Sequence, residues 1–187
     1  ADGRFGSRTP AVDVTWQQAA AYCEWAGLVL PTEAQWEWAA RGPSAPRYPW
    51  GNDHPTPDGR RAVYGRGAPV AVDDASYDGA SWVGTLHMSG NAFEWVEDVY
   101  MPNYSQLVEL DPPPRRDPCY RGSGDVPSYI NRVIRGGSWR TKPKDVGQLH
   151  SAFRRAAVGD LTKGDSFGER PGDRNHEMGL RVALPLP

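Results

Sequence analysis

The clearest periodic signal lies near the start of the chain. In "VTWQQAAAYCEWAGL", Ala19, Ala20, Tyr22 and Cys23 recur at helical spacing, which predicts an amphipathic helix. Thr15 and Gln18 form a T-x-x-Q capping box ahead of it, and Gly27 falls where a helix-ending residue belongs. Cys23 is therefore expected in the core, as a small hydrophobe. "PTEAQWEWAARG" repeats the grammar: Thr32 as N-cap, Gln35 three residues on, Trp36, Ala39 and Ala40 on one face, and Gly42 beyond the end.

The helical period stops there. "PSAPRYPWGNDHPTPDG" is turn chemistry throughout and predicts an ordered surface excursion. Strand-like alternation or β-branched content marks "APVAVD" (68–73), "NRVIRGGSW" (131–139) and "GLRVALPLP" (179–187). "VELDPPPRRDPCYRGSGD" reads as loop, with Cys119 more exposed than Cys23. Two early helices, a loop-rich middle and late short strands give the class α+β, and no fixed-period repeat appears.

Length and composition narrow this further. The 187 residues suit one domain, 1–187, and 21 Gly with 18 Pro imply long irregular connections. A net charge of −2 lacks the basic excess that neutralises phosphate backbones, so no nucleic acid is expected as a partner. No apolar run reaches the length of a membrane span, so no membrane insertion is expected. "ADGRFGSRTP" lacks the layout of a signal peptide, so the chain reads as soluble; its compartment stays open. Two cysteines are too few for a disulfide framework and too far apart for a metal motif.

"VDVTWQQAAAYCEWAG", "LPTEAQWEWAARG", "YPWGND", "MSGNAFEWVED", "RVIRGGSW" and "GLRVA" stand in the order in which similar blocks stand in the formylglycine-generating enzyme (sulfatase-modifying factor) family. The resemblance runs over residues 11–184 and implies that family's variant of the C-type lectin fold. That variant is a small twisted antiparallel sheet with two helices and many loops. The family domain usually begins with strands further upstream, so a sheet edge is expected to lie uncovered and open to association.

Active members resemble one another in a cysteine pair after the Gly-Gly-Ser-aromatic block, which binds copper(I) and activates oxygen to oxidise a substrate cysteine. Copper(I) selects soft thiolates, so that chemistry needs the pair. Here Gly136–Trp139 is followed by no cysteine at all. No copper and no catalytic residue are expected, and the chain reads as a pseudoenzyme. A noncanonical metal site in a metal-dependent oxidoreductase is the alternative, with two histidines and a carboxylate drawn from His150, His176, Asp173 and Glu177. A third reading is an inactive paralogue that pairs with an active enzyme.

The resemblance also implies one structural Ca2+. "LHMSGNAFEWVED" resembles the family's calcium segment, which carries over the carbonyls of Gly90 and Ala92, the carboxylate of Glu94 and a position held here by His87. Calcium tolerates such carbonyl-rich, irregular sites. The other reading of Glu94 is a buried carboxylate that accepts backbone hydrogen bonds. A second family calcium site is expected to be weakened, because Ala62 stands where asparagine is usual, although Asp73, Asp74 and Asp78 are near.

From Trp139 to Met178 the chain is polar and irregular, which suits a recognition surface for a protein or small-molecule ligand. Trp139, Arg140, Lys142, His150, Phe153, Arg154, Arg155 and His176 are the candidate ligand-binding residues, rich in the aromatic and guanidinium groups of binding hot spots. The other reading makes Trp139 and Phe153 core, and Arg154 and Arg155 salt-bridged. Variable proteins of diversity-generating retroelements resemble the same family and vary the residues between such frames. Here the frame runs from Gly136–Trp139 to Gly179–Val182, with Leu180 where an aromatic is usual, and with more Lys, Glu and Gly between them than that subtype shows.

Overall fold

The computed structural model describes residues 8–102, 118–121, 131–158 and 176–185. Both capping boxes form as the spacing predicts. The Thr15 hydroxyl accepts the Gln18 N–H at 3.1 Å while the Gln18 side chain accepts the Thr15 N–H at 2.9 Å, opening α1 (Trp16–Ala26). Thr32 and Gln35 do the same for α2 (Glu33–Arg41), at 3.1 and 2.9 Å. α1 ends at Gly27, whose N–H closes on the carbonyls of Cys23 and Glu24.

Among the described residues four strands follow: β1 (Phe93–Val99), β2 (Asn131–Arg135), β3 (Arg155–Val158) and β4 (Met178–Leu180). Between β2 and β3 lies a 3₁₀ stretch, Pro143–Leu149, kinked at Asp145. The sheet order is β3-β2-β1-β4. β2 is antiparallel to β1 and β3, but β4 runs parallel to β1, with Phe93 opposite Met178 and Trp95 opposite Leu180. The sheet is thus mixed, not purely antiparallel as the resemblance implies. A parallel pair needs a crossover of a dozen or more residues, and β4 joins β1 from far along the chain.

Residues 68–73 form no strand, because their backbone N–H groups go to separate segments of the chain and not to one neighbouring strand. The Val70 N–H donates to the Asn91 side chain and the Val72 N–H to the Arg8 carbonyl. The "GLRV" stretch is shorter than its β-branched content suggests, and beyond β4 Ala183 makes only an isolated antiparallel bridge to Val29. Val12, in the short lead before α1, bridges Gly179, so part of the β4 edge is covered from within the chain.

β1 alternates between two cores, as the period of a strand requires. Phe93 and Trp95, with Ile134 of β2, pack on Ala19, Cys23 and Leu30 of the α1 side. Val96, with Val133 of β2, packs on Trp36 and Ala40 of α2. Cys23 is buried there, as its place in the stripe predicts. The same alternation sends Glu94, Asp98 and Arg135 to the α2 face, so that face carries buried charge.

Candidate functional site

Arg135 is wholly buried at the end of β2, where Gly136 and Gly137 (φ 92° and 74°) turn the chain sharply away. Its guanidinium donates to Glu33 at 3.0 Å, to Glu37 at 2.6 Å and to the Ser151 carbonyl at 2.7 Å, and lies 5.0 Å from the centre of a Trp36 ring. Arg154 grips Glu33 from the other side through two bonds of 2.8 and 2.7 Å, over the Tyr100 ring. Arg41 holds Glu37 at 2.8 Å. The Asp98 carboxylate accepts the backbone N–H groups of Glu33 (2.7 Å) and Tyr120 (2.9 Å), tying the α2 N-terminus to the Cys119–Tyr120 segment. Burial pushes the Asp98 carboxyl up from its ordinary pKa, while these two N–H groups pull it back.

Glu94 occupies the neighbouring position on that face. Its oxygens accept from Trp36 Nε1 at 2.6 Å and from Arg181 at 3.0 and 2.8 Å. It is a buried, hydrogen-bonded carboxylate, but the donors are side chains and not the backbone. His87, Ala92, Glu94 and Arg181 line one cavity of about 480 Å³, walled by Thr9, Val72 and Leu180. Burial, with Arg181 nearby, pulls the His87 imidazole below its ordinary pKa. The family's calcium ion would use the same carboxylate. As the side chains stand, the Glu94 carboxylate faces the Arg181 guanidinium, and the Gly90 carbonyl already accepts the Ala92 N–H. These donors fit an ion pair better than a bound divalent cation. The acids near the second calcium region are likewise taken, Asp73 by Arg8 and Asp78 by Arg61.

The proline-rich excursion is ordered, as its turn chemistry predicts. Tyr48 and Gly51 exchange backbone bonds of 2.9 and 3.0 Å, the Arg47 N–H donates to Asn52, and Trp50 Nε1 donates to the Asp53 carbonyl. The Ser151 N–H donates to the Arg47 carbonyl at 2.8 Å and fastens His150 beside this loop. Tyr48, fully buried, stacks on Trp50, and His54 and His150 both stand edge-on to its ring.

The recognition residues expected from composition are distributed unevenly. Trp139 is 1% exposed, inside a cluster with Val63, Tyr77 and Ala92, and Phe153 packs against the α1 core. Arg154 is committed to Glu33, and Arg155 opens β3 opposite Ile134. Trp139 and Phe153 are thus packed and Arg154 is paired, as the other reading of these residues has it, although Arg154 still reaches the groove beside α2. Arg140 and Lys142 are exposed and His150 half-buried. Arg140 lies 3.6 Å from Glu177, which also accepts the Ser138 hydroxyl. His176 pairs with Asp13 at 3.3 Å, whereas His150 stands beside Tyr48, as His54 does, so among the described residues His150, His176 and Glu177 do not group as the alternative metal site would require. Asp173 and the remainder of 159–175 lie outside the described residues. Among the described residues no three His, Cys, Asp or Glu side chains group as metal ligands, and no helix is long and apolar enough to cross a membrane.

An open groove of about 610 Å³ runs between α2 and the Ala152–Arg154 stretch, lined by Glu33, Glu37, Trp38, Arg41, Ala152 and Arg154. Sequence reasoning missed Glu33, Arg135, Arg181 and His54. The only advance sign was Glu33 at the first position of a capped helix.

The two thiols are free and far from thiolate character. Cys23 is raised by burial and by Glu97. Cys119 is pushed up to about 12 by burial and by Asp98.

A family model described as "Sulfatase-modifying factor enzyme 1-like domain" matches residues 2–185. The chain belongs to this family. It is 36% identical over 168 residues to the formylglycine-generating enzyme of Streptomyces coelicolor, covering 83% of this chain and 50% of that protein. It is also 36% identical over 141 residues to the hercynine oxygenase of Mycobacterium tuberculosis, covering 72% of this chain and 30% of that protein. The chain thus spans half, or less, of the length of these relatives. In fold, PvdO from Pseudomonas aeruginosa superposes with a TM-score of 0.70 at 23% identity, over 96% of this chain and 63% of that one. Treponema denticola variable protein 1 does so with a TM-score of 0.62 at 21% identity, over 97% and 73%. These establish the formylglycine-generating-enzyme-like scaffold and its C-type-lectin-like architecture.

Proposed function

We propose that this sulfatase-modifying-factor-like domain binds a ligand and does not carry out thiol-dependent oxidation. The observation that carries the reading is the state of its two thiols. Cys23 is packed in the α1 core, Cys119 sits beside Asp98 on another segment, and no cysteine follows Gly136–Trp139, so the pair of thiolates that copper(I) selects is not supplied where active relatives carry it. Glu33 is paired with Arg135 and Arg154, and Glu94 with Arg181, so these charges are committed inside the frame. Accessible chemistry gathers at Arg140, Lys142 and His150 and along the groove beside α2, and a fold neighbour is named a variable protein.

The test is incubation with copper(I), oxygen and a cysteine-containing peptide, with aldehyde trapping and oxygen uptake as readouts. No aldehyde and no oxygen uptake above the blank are expected; either product overturns the reading. A ligand taken up in the groove should lose affinity in Ala152→Trp, which fills it. Undiminished binding would place the ligand elsewhere.

A further inference from the structure

His54 and His150 stand almost a hundred residues apart in the sequence, and the structure places both imidazoles against one phenol. Their ring centres lie 6.2 and 5.1 Å from that of Tyr48, both nearly perpendicular to it. His54 is exposed and His150 half-buried, so both can be reached from solvent.

The surroundings prepare each ring as a ligand. His54 Nδ1 lies 2.9 Å from the Pro55 carbonyl, an oxygen that also accepts the Tyr64 hydroxyl at 2.8 Å. A carbonyl can only accept, so Nδ1 carries the proton and Nε2 keeps its lone pair. This is the outer-shell arrangement that orients metal-bound histidines. His150 is held to the same loop by the Ser151 N–H bond to Arg47. Burial, Arg47 and His54 pull its pKa below the ordinary value. The hydroxyl of the Tyr48 ring that both imidazoles contact is buried and has no hydrogen-bond partner among the described residues.

We propose that His54 and His150 form a two-histidine site for a divalent, imidazole-preferring metal ion, Zn2+ being the ion it is built to take. Neutral imidazole is a zinc ligand, and zinc with two protein donors keeps two positions open for water or for an oxygen-bearing ligand. Arg47 faces His150 with a positive charge, which sets the affinity below that of a closed four-ligand site. The site shares no residue with the groove beside α2, and it does not depend on the ligand-binding reading.

The experiment is calorimetric titration of Zn2+ into chelator-stripped protein, with Co2+ absorption as a second readout. Wild type, His54→Ala, His150→Ala and His176→Ala are compared after circular dichroism has shown each to be folded. One ion per chain is expected, weakened about tenfold or more in His54→Ala and in His150→Ala and unchanged in His176→Ala. No zinc uptake by the wild type, or uptake that survives either of the first two substitutions, overturns the site. Loss in His176→Ala as well would place the ion elsewhere and overturn it equally.

Discussion

Replacing Glu33 by Gln tests whether the buried charge beside α2 is held by pairing. Glu33 is 3% exposed, and its Oε1 accepts from Arg135 and Arg154 together while Oε2 accepts from Arg154 alone. Gln keeps the size and one acceptor oxygen but removes the charge that lies between the Arg135 and Arg154 guanidinium groups. Breaking a buried ion pair by removing one partner costs about 3–5 kcal/mol. For a domain of this length that is a fall in Tm of roughly 6–20 °C. Arg154→Met is the internal comparison. It loses charge-assisted bonds worth about 1.5–3 kcal/mol, but leaves Glu33 paired with Arg135. Urea unfolding followed by tryptophan fluorescence, with unchanged slope, gives both numbers. A cost for E33Q below about 1 kcal/mol, or one smaller than that of R154M, would refute the account of Glu33 as the hub.

Glu94→Gln should cost about 2–4 kcal/mol through Arg181, discounted because that arginine is partly exposed. Wild type is expected to melt alike in calcium and in chelator; a calcium-dependent rise in Tm that E94Q abolishes would restore the ion to this site. Gly90→Ala puts a methyl 2.3 Å from the Val63 carbonyl at a φ of 81° and should cost more than about 2 kcal/mol by the same unfolding assay. His87 has a folded pKa below the ordinary 6.5, so the unfolded chain binds its proton first as pH falls. Its contribution to stability is whole above 6.5 and is lost as pH drops through and below that value. A midpoint flat from pH 7.5 to 5.5, or a His87 proton resonance that titrates above 6.5, would contradict this.

The two helices were legible because everything that defines them is local. Thr15 with Gln18 and Thr32 with Gln35 meet within one turn, and a stripe of Ala and Cys needs only some core to face. β1 was not legible in the same way. Phe93, Trp95 and Val96 read as part of a glycine turn and an acidic motif, because a strand buried on both faces loses the alternation that marks a strand. The parallel β4 pairing was beyond local reasoning, since nothing in three residues records which distant strand they join.

The polar stretch after Trp139 shows why residue type is a poor guide to exposure in this fold. Arg154 and Arg135 belong to a class rarely buried, and composition alone sends both to the surface. What keeps them inside is a pair of glutamates on α2, more than ninety residues earlier. A guanidinium is tolerated in the core where carboxylates and carbonyls match its fork of donors, and Glu33, Glu37 and the Ser151 carbonyl supply that match. Lys142 has no such partner set among the described residues and stays exposed, although it lies only seven positions beyond Arg135. Among these three basic side chains, the one left accessible is therefore the one that the α2 acids did not claim. Changing those acids would be expected to alter which side chains this segment presents, even at positions they never touch.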